Sequence, residues 1–257
     1  MTRTTRRFFT ASASALAVAL SGLFSTATQA ASINYGNVGP VPPGITFTQV
    51  TESSTTDTVP LYGPPAPFAT GLDFTPLAFG AFSANGGADL TDGQLNFGVE
   101  GSGPKGIGQI SLFEAGDYTL AGAGTPATNV FAGATLRVTV NEINNVAVTP
   151  FNLAPASGSF SDSLPPTVIL SPWSLGVTVN VGAQLAALFG PNATATDIDV
   201  VIDNALGAFS EPATVAFIAK KEFVIDVVAV DVIPEPATFA MAGVALCGIV
   251  LASRKRA

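Results

Sequence analysis

The side chains able to do chemistry in this sequence are carboxylates, and their spacing points to cation binding before catalysis. Asp197, Asp199 and Asp203 alternate with Ile198, Val200 and Ile202, so on a β-strand all three acids share one face. Carboxylates about 7 Å apart along a strand can take Ca²⁺ when loop carbonyls complete six to eight or so oxygen ligands. The same alternation also describes a solvated outer face, or a charged edge that resists strand-to-strand aggregation. Asp89 and Asp92 before Gly93, and Glu114 and Asp117 around Gly116, read as tight acidic turns. Neither stretch has the EF-hand loop spacing.

Catalysis is restricted by what is missing. The chain has no histidine, and its one cysteine is Cys247. That removes Ser-His-Asp and Cys-His nucleophiles, His-ligated zinc or copper, and imidazole acid–base chemistry. A carboxylate-based glycosidase needs two acids facing each other across a sugar cleft, one with a raised pKa. Trp173, with Tyr62 and Tyr118, is of the type that stacks on sugar rings, and Trp173 lies in a loop-like stretch between Pro172 and Ser174. The competing expectation for Trp173 is a core anchor, because large aromatics bury their area.

The elements that must position these residues are strands. Thr135–Asn141, Gly176–Val181 and Asp197–Asp203 alternate with period two, as do parts of Ile45–Val50, Gln94–Val99, Gly106–Phe113, Ala213–Ala219 and Phe223–Val230. Lys220-Lys221-Glu222 reads as a turn between the last two. Ala31–Pro43 is Gly/Pro-rich and reads as an extended arm, and prolines 60, 64, 65 and 67 exclude helix beyond the Ser/Thr run 51–58. Phe68, Phe74, Phe79 and Phe82 look like core plugs on short strands. Only Ala183–Phe189 favours helix, with Gly190-Pro191 as its stop. About ten strands in roughly 200 residues predict an all-β, antiparallel β-sandwich with one short helix. Jelly-roll connectivity is the first expectation and an immunoglobulin-like sandwich the second.

The ends of the chain carry routing information. Arg3, Arg6 and Arg7, an apolar stretch Phe8–Phe24, and Thr28-Gln29-Ala30 have the order of a secretory signal peptide over 1–30, cleaved after Ala30 or, alternatively, Ala27. Thr5-Arg6-Arg7-Phe8-Phe9 also looks like a twin-arginine signal, although Thr10 favours the general secretory route. At the other end stand Pro234-Glu235-Pro236, an apolar run Ala237–Ser253, and Arg254-Lys255-Arg256. The run predicts a transmembrane helix about 25 Å long at roughly 1.5 Å per residue, with the basic tail cytoplasmic.

That order over 234–257 resembles the PEP-CTERM sorting signal of Gram-negative bacteria. In that family the motif, helix and basic tail are recognised together by the membrane protease exosortase. The resemblance implies an inner-membrane-anchored precursor, cleavage near Pro234, Glu235 and Pro236, and transfer to the cell surface or an exopolysaccharide matrix. It covers only the last 24 residues.

Between them lies an exported domain, 31–233. Its four basic residues, Lys105, Arg137, Lys220 and Lys221, stand against 17 acids, a net charge of −13. Such a field repels nucleic acid and anionic membrane surfaces. With no cysteine in this stretch it has no disulfide. The function expected is a structural or interaction role at the surface or in the matrix, without catalysis and without a required cofactor. The alternatives are a polysaccharide-binding module, Ca²⁺-dependent through the three aspartates or using Trp173, and then a carboxylate-based glycosidase or lyase.

Overall fold

The computed structural model of the chain describes residues 31–232. The stretch 1–30 read as a signal peptide with cleavage at Ala30, the Pro234–Pro236 motif, the run 237–253 read as a transmembrane helix and the Arg254–Arg256 tail lie outside the described residues. Among the described residues, no helix is long and apolar enough to cross a membrane.

The architecture is an antiparallel β-sandwich of thirteen strands with one short helix, as the alternating pattern predicts. One layer contains β1 (Ala31–Val41), β2 (Ile45–Ser54), β6 (Ala88–Gly101), β12 (Ala195–Phe209) and β8 (Asn129–Ile143), in that order. The far edge of β8 carries β9 (Val146–Asn152) and β10 (Ala156–Ser163). In the other layer β11 (Val168–Val179) pairs with β7 (Lys105–Gly122), and β7 with β13 (Thr214–Asp231). The outer edge of β13 pairs with β5 (Gly80–Ala84) and then β4 (Gly71–Phe74), which carries β3 (Ala66–Phe68). A single paired position, Ala195 with Ile107, joins the layers. From β6 to β8 and from β10 to β13 successive strands change layer, and β12 and β13 each insert between strands already made. This wrapping is jelly-roll-like.

Alternation drives the packing. Ile198, Val200 and Ile202 on β12, Leu136, Val138 and Val140 on β8, and Val177 and Val179 on β11 all enter one continuous core. Each such side chain contributes about 1.5–3 kcal/mol on burial. The helix α1 (Val181–Phe189) starts two residues earlier than expected. Asn180 caps it by accepting from the Ala183 N–H at 2.8 Å, and Gly190 ends it at φ 93°.

The structure corrects several sequence readings. The extended arm Ala31–Pro43 is, over Ala31–Val41, an edge strand paired with β2. Phe74 and Phe79 are core residues, but Phe68 on the outermost strand β3 is exposed, and so is Phe82, because β5 turns Ala81 and Ser83 inward instead. The three supposed acidic or basic turns are strand interiors. Residues 88–93 lie in β6, 114–117 in β7 and 220–222 in β13. Two glycines that suggested turns stand where strands need close approach. A Cβ on Gly93 would come within 2.9 Å of the Phe79 ring, and one on Gly116 within 1.9 Å of the Ala219 carbonyl.

Candidate functional site

The outer face of the first layer carries the acids singled out from the sequence. Asp197, Asp199 and Asp203 do share that face. They are not gathered into one site, because each finds a partner on the neighbouring strands. Asn141 Nδ2 donates to Asp199 at 2.9 Å and to Asp197 at 3.4 Å. Burial pushes the Asp197 carboxyl upward, against the Asn141 hydrogen bond and with help from Glu100, Asp199 and Glu142. Asp203 is ion-paired with Arg137 and accepts from Gln94 Nε2 at 2.7 Å. Among the described residues, no group of three or more His, Cys, Asp or Glu is placed to hold a metal ion.

The register sets Ser53, Gln94, Asp203, Thr135 and Ser157 side by side across five strands. Thr135 and Ser157 share a hydrogen bond at 3.0 Å. A shallow depression of about 500 Å³ lies over this row and is bordered by Asp92. Hydroxyl, amide and carboxylate side chains line it together with glycines and alanines, and no aromatic residue does.

Trp173 is not on this face. It sits on β11, only 3% exposed, stacked on Phe160 with ring centroids 5.9 Å apart. Its indole N–H donates to the Ala219 carbonyl at 3.1 Å. Tyr62 and Tyr118 are also buried. The three aromatics considered for sugar stacking are therefore core anchors, the competing expectation for Trp173.

Other acids hold the chain's own loops. Glu52 accepts from the Leu61 N–H at 2.6 Å, the Gly63 N–H at 3.2 Å and the Tyr35 hydroxyl at 2.7 Å. Asp92 accepts from the N–H groups of Thr55 and Thr56, both at 2.9 Å, and from their hydroxyls. Burial opposes ionisation of Asp92, but these four hydrogen bonds outweigh it and hold the carboxyl at about 2. Glu211 is likewise held low, first by the Thr125 N–H.

The chemically unusual group is one that the sequence reading passed over. Lys220 is wholly buried, and its Nζ lies 2.6 Å from Glu114 Oε2, itself sealed from solvent. The ammonium end stands 4.2 Å from the ring centre of Phe79, 4.9 Å from Phe223 and 5.5 Å from Tyr62. It also contacts the side-chain oxygen of Asn204, which enters from the opposite layer. Asn204 Nδ2 and Glu114 Oε1 are buried without a hydrogen-bond partner.

Local pattern places all three residues. Lys220 continues the inward series Ala216, Ile218, and the irregularity between Lys220 and Glu222 then resets the register so that Phe223 and Ile225 follow inward. Glu114 follows Ile110 and Leu112, and Asn204 stands between Ile202 and Leu206. Burial lowers Lys220 to about 8, against the attraction and hydrogen bond of Glu114. Burial raises Glu114, against Lys220 and Asn204. A buried ion pair is a poor stabiliser, since apolar residues of similar volume in its place are often neutral or better by about 1–4 kcal/mol. Packing alone does not account for this cluster.

No family model and no curated protein matches the chain. Among solved structures it is similar to TmCBM61 in complex with β-1,4-galactotriose, at 8% identity over 79% of this chain and 90% of that one, with a TM-score of 0.23. A structure described for the promiscuous specificity of carbohydrate-binding modules from the β-sandwich superfamily matches at 8% identity, over 79% of this chain and 99% of that one, with a TM-score of 0.16. The enzymatically active domain of bacteriophage CBA120 tailspike protein 4 matches at 10% identity, over 79% and 20% of the two chains, with a TM-score of 0.13. Likenesses at these TM-scores carry no weight for the site, whose reading rests on its own geometry.

Proposed function

We propose that this chain is an exported, non-catalytic structural module of the cell surface or extracellular matrix, sorted and cut by exosortase at Pro234-Glu235-Pro236. What supports the non-catalytic part is the use of its acids. Glu52, Asp92 and Glu211 each terminate on backbone N–H groups and hydroxyls of the chain itself. An acid held below its usual range, as Asp92 and Glu211 are, is a poor proton donor near neutral pH. The buried Trp173 leaves no exposed tryptophan for a ligand platform, which fits a structural role. The sorting part rests on the residues of 234–256 and on the export signal order in 1–30.

The test is the fate of the full chain in Gram-negative cells with and without exosortase. Fractionation is expected to find it outside the inner membrane in normal cells and retained there without the protease. Equal release from both would refute the sorting reading. No turnover of polysaccharide, peptide or ester is expected between about pH 5 and 8, the range where a shifted acid or base would act.

A second reading is favoured by one observation, the polar row Ser53–Gln94–Asp203–Thr135–Ser157 beneath an open depression. A face of hydroxyls, an amide and a carboxylate suits hydrogen bonding to sugar hydroxyls, so the module's matrix partner would be polysaccharide bound along this row.

A further inference from the structure

We propose that Lys220 and Asn204 become covalently joined, the lysine Nζ acylated by the asparagine side chain, with Glu114 transferring the protons. The product is an amide (isopeptide) bond that ties β13 to β12 across the core, and the by-product is ammonia.

The geometry supplies every reacting group. Lys220 Nζ abuts the Asn204 carboxamide, and Glu114 Oε2 is 2.6 Å from the same nitrogen. The Asn204 side chain also lies beside the Glu114 carboxylate. The nucleophile and acyl carbon are therefore fixed together in one sealed site, the arrangement in which intramolecular reactions reach effective concentrations of about 10⁵–10⁸ M. Phe79, Phe223 and Tyr62 wall the site, and Gly93 opens the space for two of those rings. The rings keep out water, which would otherwise compete for the carboxamide and solvate the ammonium.

Protonation is suited to the step. An ammonium has no lone pair, so attack requires the neutral amine. Burial brings Lys220 to about 8 and raises Glu114, so both shifts favour moving one proton from the lysine to the glutamate. The Nζ lone pair then adds to Asn204 Cγ, and the carbonyl π pair moves onto Oδ1. Glu114 gives its proton to Nδ2 and takes one from Nζ. The Cγ–Nδ2 bond breaks as the Oδ1 pair returns, and ammonia leaves. Glu114 ends protonated, as it began the addition. No oxidant, water or co-reactant enters.

A static ion pair leaves three problems that the reaction removes together. Asn204 Nδ2 lies beside the Glu114 carboxylate without reaching hydrogen-bond geometry, Glu114 Oε1 has no partner, and a pair of opposite full charges sits in the core. After condensation Nδ2 is gone and Lys220 is a neutral amide nitrogen. The protonated Glu114 can then donate to the new carbonyl and accept from the new N–H. The exported domain has no cysteine, so this bond would be a staple indifferent to redox conditions.

The test is peptide mass spectrometry of the full chain, purified in detergent, denatured and cut at glutamate. Cleavage at Glu211 separates Asn204 from Lys220. The expected result is one branched peptide carrying both, lighter by one ammonia than its two parts, with Lys220 resistant to trypsin. Two linear peptides at full mass, with trypsin cutting at Lys220, would overturn the proposal. Glu114→Gln keeps size and shape but cannot shuttle the proton, and is expected to yield linear peptides. Glu114→Asp, a carboxyl one methylene short, is expected to cross-link partially. Full cross-linking in both variants would remove Glu114 from the mechanism.

Discussion

Lys220 Nζ lies 2.6 Å from Glu114 Oε2, with both side chains shut off from water and the Asn204 carboxamide against the same nitrogen. Strands β13 and β7 belong to one layer of the sandwich and β12 to the other, so this contact is where the layers are joined chemically.

The first consequence is in stability. Asn204→Ala leaves the Lys220–Glu114 pair in place but removes the acyl group. Loss of a cross-link closing a loop of about 15 residues costs about 3 kcal/mol by the loop-entropy relation for disulfides. In a chain of this size that is a fall in melting temperature of roughly 2–4 °C per kcal/mol. Denaturant unfolding of wild type and variant measures the difference, and an unchanged midpoint would contradict it.

The second consequence is in pH dependence. In Asn204→Ala, Lys220 keeps a free amine whose pKa in the folded state is about 8, against 10.5 when unfolded. The folded state then binds fewer protons than the unfolded one between these values, so stability rises with pH from about 8 to 10.5. In the cross-linked wild type the nitrogen is an amide and does not titrate. Melting curves through this window are expected to show the rise in the variant alone.

Asp92 gives a third. Its carboxyl, at about 2 when folded against 3.8 ordinarily, adds stability above 3.8 that is lost as the pH falls through about 2. Asp92→Ala, which releases the Thr55–Thr56 loop, is expected to cost about 1–2 kcal/mol at neutral pH, comparable to a lost helix cap. The two melting curves should converge near the acid end, and a constant gap down to that pH would count against the clasp.

The fourth concerns the polar face. If the row carrying Gln94, Asp203 and Thr135 binds polysaccharide, Gln94→Ala and Asp203→Ala should each weaken glycan-array binding by the full chain about fivefold to tenfold, the effect of one hydrogen bond of about 1–1.5 kcal/mol. Binding is measured with Ca²⁺ and with chelator. Unaltered binding in both variants would move the ligand elsewhere, and a loss with chelator would restore a role for Asp197 and Asp199.

The sandwich was legible because β8, β11 and β12 alternate cleanly, so apolar period two announced each strand and its inward face. The outward aspartates of β12 were legible for the same reason. Their dispersal was not, since Asn141 and Arg137 reach them from β8, and strand neighbours across a sheet leave no local trace in sequence.

The core cluster was hidden by a rule that usually works. Glu114-Ala115-Gly116-Asp117 and Lys220-Lys221-Glu222 have turn composition, and charged residues are rarely fully buried. The signal lay in the phase. Glu114 falls two residues after Leu112, Lys220 two after Ile218, and Asn204 between Ile202 and Leu206, each at an inward position of an apolar series. Three polar residues in apolar phase on three strands are what the sequence offered.

The routing claim is tested most directly by the intact mass of the protein recovered from outside the cells that make it. The account predicts a chain that begins near Ala31 and has lost Ala237–Ala257, including the Arg254–Arg256 tail. A surface-recovered chain that still carries that tail would contradict it.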